Sequence, residues 1–359
     1  MSNYPKTFRR AVALPLLACA GVLLAGVSCS LGGGSRRADG GVFKSTDAGS
    51  TWQQVVFVSQ GKKTAVTIAN LDVARLLVSP VDPETLYALA GGEGVVMTEN
   101  GGQSWRQLYK GSVSGLGLAA RAKGTLFLAT GNRLLKTADG GANWQNAYLE
   151  NAPGVSFTDV AIDPQNVKHV LATGSRGGLL ESVDGGVSWQ LRYSFPEGPA
   201  RVIFNPRNVS VLYVPLPSGT LWRSADAGKT WVNVTPSLPG EKRFKTGPFL
   251  AFTFIPQRLD ALFYATSYGL WRTNDAAATW QSQKLVTTAS SVAITGVTVD
   301  ATHEQNFAYV AGGSLYRTDD NGERWETVQL PSGRLPTALV ASSPNAKTIY
   351  LGVTKPKQK

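Results

Sequence analysis

The chain has 359 residues, with 35 Lys and Arg against 24 Asp and Glu for a formal charge of +11, and with 43% apolar residues, 39 Gly and 19 Pro. This balance suits a folded, turn-rich β protein and excludes a disordered or acidic chain. The only cysteines, Cys19 and Cys29, precede residue 30, which excludes a disulfide-stapled fold. Length alone suggests two domains.

Residues 1–10 carry Lys6, Arg9 and Arg10 and no acid, and residues 11–28 are apolar or small throughout. That is the form of a secretory signal, with a single spanning helix as the alternative because 18 residues lie near its lower limit. Pro15 and the small residues favour the signal. Cys29 follows Gly26-Val27-Ser28 and heads a Ser/Gly/Arg stretch, which resembles a bacterial lipobox with Cys29 as the lipidated residue. Gly26 departs from that pattern, where Leu is usual. Cys19, after Leu16-Leu17-Ala18, matches better locally, but cleavage there would leave apolar residues 20–27 exposed. An uncleaved anchor and plain secretion are the other routes. All of them export the folded domain, as a membrane-anchored lipoprotein of the cell envelope or as a secreted protein. The expected division is residues 1–28 as signal peptide or membrane anchor, 29–40 as flexible tether and 41–355 as one domain.

From residue 42 an octapeptide recurs seven times: 45–52 (STDAGSTW), 98–105 (TENGGQSW), 137–144 (TADGGANW), 182–189 (SVDGGVSW), 224–231 (SADAGKTW), 273–280 (TNDAAATW) and 318–325 (TDDNGERW). Each reads as a tight turn between two short strands. The acid (Asp47, Asp139, Asp184, Asp226, Asp275, Asp320, with Asn100 as the one amide) can accept from backbone N–H groups one or two residues on. Glycine takes the corner, and Trp52, Trp105, Trp144, Trp189, Trp231, Trp280 and Trp325 return as apolar anchors. Ala277 in place of glycine makes that corner strained or differently shaped. The tryptophans are 53, 39, 45, 42, 49 and 45 residues apart, near the length of a four-stranded propeller blade.

Six octapeptides are preceded by two apolar strands: near 76–78 with 86–89, 116–119 with 125–129, 158–162 with 170–173, 202–204 with 211–214, 252–254 with 262–265, and 296–299 with 308–311. The first has none, whereas 337–341 and 349–353 form a pair with no octapeptide after it. The count balances if the C-terminal pair joins the N-terminal hairpin in one sheet, which closes a ring and removes open edges. No long window outside the leader keeps a helical period, although residues 62–76 admit a short helix.

The octapeptides resemble the Asp-box, or bacterial neuraminidase repeat, whose consensus is Ser/Thr-x-Asp-x-Gly-x-Thr/Ser-Trp. The resemblance implies a box that fastens the third and fourth strands of a blade and is seldom catalytic. The expected fold is therefore all-β: a seven-bladed β-propeller of four-stranded blades, the last closed by N-terminal and C-terminal strands together. Boxes and Asp-Pro-type turns should then share one face, leaving the opposite face for recognition. Candidates there are Arg133, Arg176, Tyr193, Phe195, Lys242, Arg243, Lys245 and Tyr268, since arginines and aromatics on loops bind carboxylates, sugars or acidic protein surface.

Sialidases share the repeat, but the chain lacks their Phe/Tyr-Arg-Ile-Pro motif; Phe254-Ile255-Pro256 has no Arg in place. No carboxylate pair stands apart from the turns as a glycosidase requires, so the chain reads as a non-enzyme with no catalytic residue, cofactor or metal. His169 is expected beside the turn opened by Asp163-Pro164, and His303 has no ligand partner in sequence. Removing Lys6, Arg9 and Arg10 from +11 leaves +8, which favours an acidic protein or peptide partner, or anionic headgroups, over nucleic acid, because the basic residues are dispersed. The leading expectation is a monomeric, membrane-anchored propeller that binds a protein or peptide. Single-propeller lipoproteins of the photosystem II assembly factor family look similar, as do sortilin-type and xyloglucanase-type propellers. The alternative is a carbohydrate-binding protein or a divergent glycoside hydrolase of the same class.

Overall fold

The computed structural model describes residues 38–61, 65–236, 247–287, 291–342 and 347–356. The leader, Cys29, most of the expected tether, and the candidates Lys242, Arg243 and Lys245 lie outside the described residues. So does the turn at 343–346.

Seven four-stranded antiparallel sheets form a seven-bladed β-propeller. Six blades follow one another along the chain, spanning 75–109, 115–149, 157–194, 203–233, 249–282 and 294–329. We number them 1 to 6. Blade 7 takes its first two strands, Leu335–Ala341 and Ile349–Thr354, from the C-terminal part of the chain and its last two, Gly41–Ser45 and Gln53–Gln54, from the N-terminal part. Gly41 opposes Val353 and Ser45 opposes Ile349. The closure expected from the strand count is therefore the observed one.

Within a blade, sequence and position correspond. Second strands, such as Leu262–Thr266 and Phe307–Ala311, are buried along their whole length and read as unbroken apolar runs. Fourth strands, such as Gln281–Ser282 and Glu326–Gln329, are short, polar and largely exposed, which blunts an outer edge. First strands of blades 2 and 3, and of blades 5, 6, 7 and 1 in turn, pack on one another around the centre. Between blades, side chains form continuous clusters; Phe195, Trp231, Leu212 and Leu171 belong to one of them, between blades 3 and 4.

The chain enters at a polar knot. Asp39 pairs with Arg334 at 3.2 Å, its carbonyl accepts from the Ser332 hydroxyl at 2.7 Å, and Gln54 Nε2 donates to the carbonyls of Ala38 and Gly40. Arg334 also reaches Asp72, which accepts from the Lys355 amide. One knot thus joins both ends of blade 7 to blade 1.

The region before blade 1 departs from expectation. No helix occupies described residues 65–76. Phe57–Gln60 and Ala65–Thr67 pair instead as an extra hairpin. It accounts for the long 53-residue gap between the first two tryptophans.

Candidate functional site

The two faces of the ring differ in chemistry. First and third strands of each blade run toward one face, so the octapeptide turns and the turns between strands one and two meet there. They are bonded to each other seven times over. The amide of the fourth octapeptide residue (Ala48, Gly101, Gly140, Gly185, Ala227, Ala276, Asn321) donates to a carbonyl of the neighbouring turn, at 2.7 to 3.1 Å.

Inside each turn the bonding is uniform. In blade 4 the Ser224 hydroxyl donates to Asp226 Oδ1 at 2.8 Å and accepts from the Gly228 amide at 2.8 Å. Asp226 accepts from the amides of Lys229 and Thr230 and from the Thr230 hydroxyl. The acid thus reaches three and four residues on, further than the one or two expected, because the two residues after it adopt positive φ, 59° and 84° here. Asn100 keeps the arrangement, accepting from the Ser104 amide and donating from Nδ2 to the Ser104 hydroxyl. Ala277 keeps it too, at φ 70°, so that corner is strained and not reshaped. Hydrogen bonds led by the Thr51 hydroxyl, the Asn143 amide and the Arg324 side chain hold Asp47, Asp139 and Asp320 down to about 2. These carboxylates are consumed as structural acceptors.

Cations tie neighbouring turns together on this face. Lys44 donates to the Gly101 carbonyl, Lys136 to that of Gly185 at 2.7 Å, Arg317 to that of Ala48 at 3.1 Å, and Arg106 to that of Gly140 at 3.3 Å. Arg272 reaches the Asn321 side chain at the equivalent place. The junction of blades 3 and 4 differs: blade 3 has Glu181 just before its octapeptide, the position from which Lys44, Lys136, Arg272 and Arg317 reach the next blade. The Glu181 carboxylate faces His169 Nε2 at 3.1 Å, and His169 Nδ1 faces Asp163 at 3.0 Å, beside the turn where that histidine was expected. Among the described residues no group of three or more His, Cys, Asp or Glu is placed to hold a metal ion.

The opposite face carries the connections between strands two and three and between blades. Arg133 and Arg176 project there from neighbouring blades and are exposed; Arg176 also donates to the Pro153 carbonyl at 3.0 Å. Tyr268 lies half-buried in the corresponding turn of blade 5. Tyr193 and Phe195 point into the interblade cluster: Phe195 is 4% exposed and its ring sits 5.1 Å from that of Trp231.

Sequence reasoning passed over the centre of the ring. Arg75, at the start of blade 1's innermost strand, pairs with Asp159 of blade 3 at 2.7 Å. It passes the innermost strand of blade 2 because residue 115 is glycine; a Cβ there would sit 2.5 Å from Asp159 Oδ1. Asp159 Oδ2 accepts from the Val202 amide, and the preceding residue, Arg201, borders the same channel. Arg201 forms no hydrogen bond or ion pair among the described residues. Burial pushes its guanidinium down to about 9, with Arg75 adding to the fall and Asp159 opposing it. A cavity of about 290 Å³ lies here, walled by Leu76, Ala251, Phe252, Val297 and Leu339 among others. Arg75 and Arg201 are the charged side chains among its described lining residues. Both open an Ala-Arg step followed by three apolar residues, at 74–78 and 200–204, a signal legible in the sequence once a cation heading an inner strand is noticed.

Comparisons with known proteins agree on architecture. A family model described as Sortilin-Vps10 (sortilin, neurotensin receptor 3) matches residues 219–358. No curated protein matches by sequence. Among solved structures, a GH74 enzyme from Niastella koreensis superposes with a TM-score of 0.65 at 16% identity, covering 84% of this chain and 53% of that one. The GH74 xyloglucanase from Xanthomonas campestris gives 0.62 at 17% identity, covering 85% and 52%. This chain thus spans about half the length of those enzymes. YCF48 from Cyanidioschyzon merolae gives 0.59 at 15% identity, covering 79% of this chain and 95% of that one, and a structure of YCF48 bound to D1 peptide gives 0.59 at 13%, covering 83% and 100%. At these identities the likeness is one of fold.

Proposed function

We propose that this protein is an exported, noncatalytic Asp-box propeller, held at the cell envelope through lipidated Cys29, that binds a protein or peptide partner. Recognition falls to the face opposite the octapeptides. One observation carries the reading: the recurring hydroxyl, acid and amide groups of the octapeptide turns are spent on hydrogen bonds within and between the turns, whereas the opposite face presents exposed Arg133 and Arg176 around a channel bordered by Arg75 and Arg201. Exposed guanidinium groups on rigid turns suit acidic or carboxylate-bearing surface. The peptide complex of YCF48 supports a peptide as partner for a ring of this size. Lys242, Arg243 and Lys245 extend the same basic composition in the connection between blades 4 and 5.

The test is affinity capture with the full chain from solubilised membranes of its source, beside a glycan-binding screen. One envelope or membrane protein retained by the wild type and lost with Arg133→Glu/Arg176→Glu is the expected result. Saturable glycan binding without such a partner would replace this reading by the carbohydrate-binding alternative, to which the GH74 likeness lends its only support.

A further inference from the structure

We propose that the central channel holds a binding site for a carboxylate, gripped between Arg201 and Arg75 at the face opposite the octapeptides. The inference rests on recognition at that face and names the chemistry that reaches deepest into it.

The charge of the channel is unbalanced. Asp159 answers one of the two guanidinium groups, through its 2.7 Å contact with Arg75, and its other oxygen is taken by the Val202 amide. Arg201, half-buried, is left as a cation beside apolar walls, where an unanswered charge is costly. A single negative charge entering from the mouth would restore neutrality.

Donors are unspent in the same place. Arg75 Nε and Thr295 Oγ1 are both buried and have no hydrogen-bond partner among the described residues. Arg201 adds the planar fork of N–H groups that matches a carboxylate with two parallel bonds. The three come from blades 1, 4 and 6, so the site exists only in the closed ring. Its size limits the occupant. About 290 Å³ admits an acidic side chain or a small organic acid but no folded element. The walls beside the donors are aliphatic and aromatic, so the favoured ligand has a short apolar stem ending in one carboxylate. A compact dianion such as phosphate would bring more charge than the channel lacks.

Two sources share this chemistry: a Glu or Asp side chain of a docked partner, and a free small acid. Calorimetric titration of the purified full chain separates them, using sodium butyrate, a capped Gly-Glu-Gly tripeptide amide, its Gln counterpart and inorganic phosphate. Saturable binding of butyrate, of the Glu peptide or of both is expected, with the Gln peptide and phosphate silent. Butyrate alone would mark a free acid as the ligand; the Glu peptide alone would mark a partner's side chain. Arg201→Gln should weaken binding about tenfold or more, the loss of a charge-assisted pair. Lys229→Gln, exposed on the octapeptide face, should bind as the wild type does. Thr295→Val, which removes a hydroxyl at nearly constant volume, should weaken binding by a few fold and guards against misfolding of the arginine variant. Absence of binding by both carboxylate probes, or equal binding by wild type and both channel variants, would overturn the proposal. Loss of partner capture with butyrate binding intact would instead sink the docking function and leave this site standing.

Discussion

The two faces of this ring are built from the same strands and yet have opposite chemistry. On the octapeptide face nearly every polar group has a local duty: seven acids or amides hold their own turns, seven amides reach the adjacent turns, and five basic residues clip one blade to the next. On the opposite face the innermost strands of blades 1 and 4 are led by guanidinium groups, Arg75 and Arg201, of which Asp159 pairs with the first. A repeated fastener can be copied from blade to blade because its bonds are internal. On the proposed reading, recognition falls where the repeats differ.

This contrast can be broken at several strengths. The largest effect belongs to closure. Deleting residues 335–359 removes two of the four strands of blade 7 and bares the edges of its neighbours. Size-exclusion chromatography should show aggregates without a cooperative thermal transition, and a soluble, cooperatively folding product would refute the shared blade. Next come the anchors between blades. Trp231 is 8% exposed and packs on Phe195, so Trp231→Ala should cost about 3–5 kcal/mol in chemical denaturation. Arg133→Ala on the opposite face should stay within about 0.5 kcal/mol.

Turn corners come third and can be ranked. A Cβ at Gly186 would lie 2.6 and 2.7 Å from the buried Phe127 ring, whereas at Gly228 the nearest atom, Leu212 Cδ1, is 3.3 Å away. Both have positive φ. Gly228→Ala should therefore lose only about 1–2 kcal/mol of backbone strain, and Gly186→Ala clearly more. Equal losses would show that packing does not distinguish the corners.

The smallest effect is one of pH. The folded acids at 47, 139 and 320 titrate near 2, below the 3.8 of an unstrained aspartate. Their contribution is complete above about pH 4 and lost as pH falls toward 2, because the unfolded chain takes up the protons first. Asp47→Asn/Asp139→Asn/Asp320→Asn should flatten the stability curve in that window, with Asn100 as the natural precedent for a turn held without charge. A curve of unchanged slope would mean that these hydrogen bonds do not favour the charged form in solution.

Much of this frame is legible in the chain. A turn that recurs with fixed internal spacing declares both blade number and closure, because each copy is a complete local solution. The hairpin at 57–67 is less so: its strands are short, and an insertion carries no repeat to be matched against. The basic residues at 44, 136, 272 and 317 stand just before their octapeptides and are readable as a column once the ring is known. The acceptor of each belongs to the next blade, which spacing alone does not reveal. Tyr193 and Phe195 illustrate the opposite error: aromatic residues near a loop looked like a rim but fill the seam between blades. Arg75, Asp159 and Arg201 are 84 and 42 residues apart and meet only because blades 1, 3 and 4 converge on one axis.

The division of labour between the faces is tested most directly by site-specific photo-crosslinking in the source cell. A benzophenone side chain would be placed in turn at positions 133 and 176 on one face and at 187 and 229 on the other. Covalent adducts to one discrete protein from 133 and 176, with none from 187 and 229, are the predicted result. Adducts arising from 187 or 229 instead would place recognition on the fastened face and contradict the account.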